Sequence, residues 1–305
     1  MELVNKKLPN FLVVGAAKAG TTSVYNYLKQ HPEIYMSPLK EPFYFSFIDA
    51  KPSFKGPYDE KTNKEIITNL SDYEKLFESV NWEKAIGECS NSYLFFRQSA
   101  LNIKKTIPDC KIIMILRNPV ERAYSHYLQS IMLGHENLSF KDAIKNEQVR
   151  KKENWRWHYQ YVAQSLYYEQ VLQYYDIFGE QKIRVFLFEE LKSDALKVMK
   201  NIFEFLEVDS SFKPVIEIHN ATGLPKNKIL HKFLSYDNWI KDITKPFTSS
   251  KLRGKIYNLI LLKNYDYKKK NKLDDELRKE LNIVFKDDIM KLEKLINRDL
   301  SNWLK

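Results

Sequence analysis

The chain has 305 residues, 44% hydrophobic and 29% charged, which fits a folded protein with a sizeable core and excludes wholesale disorder. Lys and Arg number 49 against 39 Asp and Glu, a net charge of +10 that favours anionic partners: a nucleotide, nucleic acid, a sulfated or phosphorylated glycan, or a membrane face. Two cysteines, Cys89 and Cys110, exclude a disulfide framework, and six scattered histidines with no Cys partners at metal spacing argue against a structural zinc site.

The first seven residues lack the apolar stretch of a signal peptide, and Leu259–Leu262 is far shorter than the roughly 20 residues of a membrane helix. The expectation is a soluble, cytoplasmic protein with both thiols reduced. Phe11–Gly15 reads as a buried strand ending in glycine. Thr22–Gln30 reads as a helix stopped near His31-Pro32, and Ile34–Met36 as a second strand. Residues 43–80 read as surface loop followed by a helix over Ser71–Glu78, and Lys84–Glu88 as a short strand. Lys111–Leu116 is a clear buried strand that Cys110 abuts. Pro119 suits the first turn of a helix over Val120–Leu133. Tyr161–Phe178 is expected to be one long helix ended by Gly179, Lys182–Phe188 a strand, and Ala195–Leu206 an amphipathic helix. Residues 209–270 are less regular, with Tyr267–Asn271 a solvated turn. Leu273–Leu295 is helical, with apolar positions at 277, 281, 284, 285, 289, 292 and 295. The alternation predicts an α/β protein: one three-layer α/β/α domain over 1–305 around a central parallel sheet. Ligands in such sheets sit at the strand carboxyl ends, so the loops after Val14, Leu116 and Phe188 share one rim.

The first of these loops is Gly15-Ala-Ala-Lys18-Ala19-Gly20-Thr21-Thr22-Ser23. It joins a buried strand to a helix N-terminus, where free N–H groups and the helix dipole favour an anion. It departs from the G-x-x-x-x-G-K-[ST] pattern of nucleoside triphosphate sites. Thr21 follows Gly20, and the lysine lies inside the loop. A magnesium-binding Asp at the end of a later strand is missing too, because Leu116 is followed by Arg117. Arg117 sits where a guanidinium can fork onto a phosphate, and Ser125 lies about two helical turns further on.

These two segments, Phe11–Ser23 and Leu116–Tyr127, resemble the sulfotransferases that use 3′-phosphoadenosine-5′-phosphosulfate (PAPS). Lys40-Glu41-Pro42-Phe43-Tyr-Phe45, Gly87-Glu88-Cys-Ser-Asn-Ser-Tyr93, Tyr167–Glu190 and Arg298–Trp303 are similar to the bacterial and Golgi carbohydrate branch. The resemblance runs from about residue 9 to the C-terminus and implies the P-loop-like sulfotransferase fold. It implies that Lys18, Ala19, Gly20, Thr21, Thr22 and Ser23 bind the 5′-phosphosulfate, with Lys18 neutralising the leaving oxygen. Arg117 and Ser125 would hold the 3′-phosphate, Tyr167 would lie near the adenine, and Lys226 would touch a phosphate from a closing loop at Asn220–Lys226. That loop lacks the Cys-bounded Lys-Gly-Arg run of the Golgi enzymes. No metal is required in this scheme. Glu41 is the candidate general base, with Glu88 and His126 as rivals. Lys40, Glu88, Tyr93, Trp155 and Trp157 are candidates for acceptor contact, because Trp and Tyr interleaved with polar groups suit sugar rings. The implied acceptor is a carbohydrate, glycolipid or small molecule, with no nucleic-acid partner and a peripheral membrane contact left open. Two other readings of the residues remain at this point: an ATP-dependent kinase or NTPase on the same fold, and a non-enzymatic binder of anionic polymers.

Overall fold

The computed structural model describes residues 8–217, 224–225, 265–266 and 272–305. Five strands form one sheet: β1 (Phe11–Gly15), β2 (Ile34–Met36), β3 (Ala85–Cys89), β4 (Lys111–Leu116) and β5 (Ile183–Leu187). Their order is β2-β3-β1-β4-β5, and every pairing is parallel. The cause is visible in the chain. Phe11–Val14 and Ile112–Leu116 are continuous apolar runs with no exposed side chain, as a strand covered on both faces requires. Gly87 lets β3 pass the Phe11 ring, since a Cβ there would lie 2.1 Å from Phe11 Cζ.

The helices are α1 (Thr21–Leu28), α2 (Asp59–Glu65), α3 (Leu70–Lys75), α4 (Ser92–Phe95), α5 (Arg97–Thr106), α6 (Pro119–Met132), α7 (Phe140–Lys145), α8 (Glu147–Lys152), α9 (Tyr168–Phe178), α10 (Phe188–Ser193), α11 (Ala195–Leu206) and α12 (Asp275–Ile296). A short antiparallel pair, β6 (Leu224–Pro225) and β7 (Tyr265–Asp266), stands apart from the main sheet. Because β2 and β3 lie on one side of β1 and β4 and β5 on the other, the order in which strands are added across the sheet reverses at β1. The carboxyl ends of β3, β1 and β4 therefore border one crevice. Among the described residues, no helix is long and apolar enough to cross a membrane.

All five expected strands are present, within two residues at each end. Three readings need correction. Residues 43–80 are no mere surface loop: Tyr44, Phe45, Tyr73 and Phe77 are buried, and Tyr44 stacks on Tyr73 at 4.3 Å. The expected helix over Tyr161–Phe178 begins only at Tyr168. Its first turn is capped from afar, the Tyr167 and Tyr168 N–H groups donating to Asp288 on α12 (2.8 and 3.1 Å). β5 stops at Leu187, and Phe188 opens α10. The short helices α2, α4, α5, α7 and α8 carry too few turns to show a period. The irregular stretch past residue 217 and the Tyr267–Asn271 turn lie outside the described residues.

Candidate active site

The loop after β1 is shaped by its backbone. Lys18 has φ 68° and Gly20 φ 95°. Gly20 is the N-cap of α1 and supplies no side-chain cap. A Cβ at Gly20 would lie 2.7 Å from Leu191 Cδ2, so glycine answers both a left-handed conformation and a close approach. The first N–H groups of α1 have no intrahelical acceptor, and no acidic side chain stands in its first turn to neutralise the positive end of the dipole. Ala16 N–H donates to Ile115 O (2.7 Å), fixing the loop to β4. Thr21, Thr22 and Ser23 open the helix directly behind it. Desolvation brings the Lys18 pKa down from 10.5 to about 8. Arg117 adds to that effect and Glu41 opposes it.

Arg117 follows β4 and reaches the same loop. Its Nη1 donates to Lys18 O (3.1 Å), and its guanidinium lies over the Phe188 ring at 4.7 Å. The ion pair with Glu121 is long, 3.7 Å, so the fork is not saturated by an acid. Tyr167 is fully buried and donates from its hydroxyl to Arg117 O (3.1 Å). It supports the arginine loop from below. Ser125 lies on α6, partly exposed, with no hydrogen-bond partner among the described residues. Lys226 lies outside the described residues, though the neighbouring β6 runs beside α6.

Glu41 faces the loop from the other side. Lys40 Nζ donates to Glu41 Oε1 (2.6 Å), and so does Asn91 Nδ2 (2.8 Å). Oε2 has no partner among the described residues, which leaves one carboxylate oxygen free to take a proton. Burial opposes the Lys40 ammonium, but Cys89, Glu41 and Glu88 around it raise its pKa above the ordinary value. Glu88 is fully buried at the end of β3, where it accepts from Ser90 Oγ (2.6 Å) and the Tyr73 hydroxyl (3.3 Å). Burial raises its pKa to about 7. Tyr93 is fully buried beside it. His126 is buried as well, its Nδ1 3.3 Å from Arg122 Nη1, and burial with the Arg122 charge holds it neutral. Both oxygens of Glu88 are bonded, and His126 is 1% exposed, whereas Glu41 is partly exposed and keeps one oxygen without a partner among the described residues.

Trp157 is 1% exposed, among the rings of Phe43, Phe47, Phe54 and Phe96 (5.2–5.5 Å). Trp155 is half-buried against Tyr159 (5.0 Å) and under the Arg150 guanidinium. The structure thus brings together Lys18–Ser23, Arg117, Lys40 and Glu41. It places Glu88, Tyr93, Tyr167 and Trp157 behind them as support. Sequence reading missed Asn91, which orients Glu41, and Phe188, which carries Arg117. Asn91 stands two residues from Tyr93 in a segment already singled out. Phe188 could have been found as the residue leaving β5 on the shared rim. Among the described residues, no group of three His, Cys, Asp or Glu is placed to hold a metal ion.

A parallel α/β domain with a cationic loop at the switch of its sheet, faced by a carboxylate, is an architecture suited to holding an anionic group. The sulfotransferase domain family matches residues 8–295, and the chain belongs to that family. A solved structure of a sulfotransferase from Alicyclobacillus acidocaldarius is similar over 98% of this chain and 100% of its own, with 34% identity and a TM-score of 0.78. The membrane-associated sulfotransferase kil1 of Dictyostelium discoideum is 22% identical over 87% of this chain and 67% of its own length. Human carbohydrate sulfotransferase 15 is 24% identical over 66% of this chain, which spans only 44% of that relative. The protein is a sulfotransferase.

Proposed function

We propose that the donor is PAPS and the acceptor a hydroxyl, or an amine, of a carbohydrate or glycolipid. The observation that carries this reading is the Arg117–Lys18 contact, which joins the two cationic rim loops at one point, 3.1 Å from guanidinium to carbonyl. The residues present suit the donor. The open N–H groups at the start of α1, with Lys18, fit a phosphosulfate. Arg117 and the unpartnered Ser125 hydroxyl fit a second phosphate, the group that separates PAPS from ATP. The carbohydrate sulfotransferase among the relatives supports a sugar acceptor, and the membrane-associated one keeps a lipid-linked sugar within the class.

Transfer then proceeds in line. The acceptor oxygen attacks sulfur while the bond from sulfur to the bridging phosphate oxygen breaks. The acceptor proton passes to Glu41 Oε2, and the electron pair leaves on the phosphate, where Lys18 stabilises the growing charge. Calorimetry with the product nucleotide, 3′-phosphoadenosine-5′-phosphate (PAP), tests the donor. Binding in the presence of EDTA is expected. Arg117→Ala should weaken it by about 10- to 100-fold, since charge-assisted hydrogen bonds are lost. Lys18→Ala should lower kcat by about 10²–10³-fold. Tighter binding of ADP with magnesium would overturn the donor assignment in favour of a kinase.

A further inference from the structure

We propose that Glu88 is a positioning residue: acting through the Ser90 hydroxyl, it fixes the Lys40–Phe43 turn and so aims the Glu41 carboxylate. The inference rests on Glu41 being the base and deepens that reading.

The turn does not hold itself. Glu41 (φ 66°) and Phe43 (φ 60°) both occupy the left-handed region that side-chain-bearing residues avoid, on either side of Pro42. Three successive residues after the body of β3 restrain it. Glu41 N–H donates to Cys89 O (2.9 Å), Phe43 N–H to Ser90 Oγ (3.1 Å), and Asn91 Nδ2 to Glu41 Oε1 (2.8 Å). Ser90 is the link that needs a director. A hydroxyl has one proton, and its oxygen can receive the Phe43 N–H only if that proton points elsewhere. Glu88 Oε1, 2.6 Å away, takes it. The Tyr73 hydroxyl donates to the other carboxyl oxygen, so Glu88 is held as an acceptor at both ends. Glu88 and Ser90 are both fully buried, so water does not compete for these bonds. A carboxyl with no exposed atom cannot touch the acceptor substrate, but it can set the direction of a hydrogen-bond chain that ends two residues from Glu41.

The test uses the full chain with PAPS as donor and a desulfated heparin oligosaccharide as acceptor probe. PAP release is measured for Ser90→Ala, Glu88→Gln, Glu41→Gln and Ser90→Ala combined with Glu41→Gln. Ser90→Ala should lower kcat about tenfold, the worth of one buried hydrogen bond, with PAP affinity within about twofold. Glu88→Gln keeps an oxygen for Ser90 and should cost less. The double variant should be no slower than Glu41→Gln alone, which a general loosening of the fold would not produce. Independently of any acceptor, hydrogen exchange at the Glu41 and Phe43 amides should speed up about tenfold in Ser90→Ala and by a smaller but measurable factor, about two- to threefold, in Glu88→Gln, with the Lys18–Ser23 loop unchanged. If Ser90→Ala folds poorly, the exchange and rates of Glu88→Gln decide. Unchanged exchange, or a slow Glu41→Gln beside a Ser90→Ala at wild-type rate, would overturn this inference alone. A Glu41→Gln variant at wild-type rate would overturn the base assignment and the inference together.

Discussion

The loop after β1 is held by its own backbone and by strands on either side, whereas the wall formed by residues 43–66 and 135–165 is held by side chains distant in sequence. On the donor side the fixing bonds are Ala16 N–H to Ile115 O and Arg117 Nη1 to Lys18 O. On the other side, Arg156 pairs with Asp59 at 3.0 Å, 97 residues earlier, and Tyr159 donates from its hydroxyl to Pro57 O (2.9 Å). Asn154 Nδ2 donates to Ser53 O (2.9 Å), and Arg150 forks onto Glu136 (2.6 and 2.9 Å). Trp157 fills the space between the two segments. A site made mostly of backbone, tied by the Arg117 side chain, can be disabled only at a few positions. A wall made of paired side chains can vary, provided the partners vary together. Under the proposed function, that division would let the donor side stay fixed while the acceptor side varies.

Removing the proposed base tests the join between the two halves and carries the largest expected effect. Glu41→Gln keeps the shape and the Asn91 contact but cannot accept the acceptor proton. Its kcat should fall by about 10²–10⁴-fold, with PAP affinity unchanged. A fall in PAP affinity to match would place Glu41 on the donor side and erase the division.

The wall itself comes next. Asp59→Ala leaves the Arg156 guanidinium buried without its carboxylate, beside a His135 whose pKa burial and the Arg156 charge already press to about 4. Stability should drop by about 3 kcal/mol in a denaturant titration, the cost of an uncompensated buried charge. At 25 °C the folded fraction should still bind PAP as wild type does while the acceptor KM rises. Loss of PAP binding in step with stability would show that the two sides are one cooperative unit.

The same division explains what could be read from the chain. Buried parallel strands announce themselves as apolar runs, and an anion loop keeps its small residues, lysine and hydroxyls contiguous. The donor side was therefore visible from Phe11–Ser23 and Leu116–Ser125. Glu41 was visible only through its neighbours Lys40 and Pro42, because its partner Asn91 is 50 residues away. The Asp59–Arg156 pair left no local signal, since nothing in either segment names the other. Trp157 reads in the sequence as a sugar contact, because Trp155, Trp157 and Tyr159 are interleaved with polar groups. Its burial follows from Phe43, Phe47 and Phe54 folding back over it, a tertiary fact that no window of sequence contains. The break before α9 has the same origin, in an aspartate on α12.

The smallest expected effect concerns the proton on Lys18. In the free protein desolvation holds its pKa near 8 rather than 10.5. Below pH 8 the ammonium is formed and PAP should bind at full strength. Above pH 8 the proton must be taken up before the phosphate can be met by charge, so affinity should weaken, by at most about tenfold per pH unit. The phosphate groups do not interfere, since their second ionisation near pH 6 is complete in this window. Calorimetry at about pH 9 should show a binding heat that changes with the ionisation enthalpy of the buffer, and at about pH 7.2, where the phosphates are almost fully ionised and Lys18 is mostly protonated, that dependence should be small. Stability of the unliganded protein should move the other way. Between about pH 8 and 10.5 the unfolded chain carries a proton on this lysine that the folded chain lacks, so this group's contribution to stability rises with pH. Lys18→Arg stays charged across the range and should remove both slopes. A wild-type affinity flat from pH 7 to 9.5 would mean that Lys18 is solvated in the free state, and the donor loop would then be less preorganised than its backbone geometry implies.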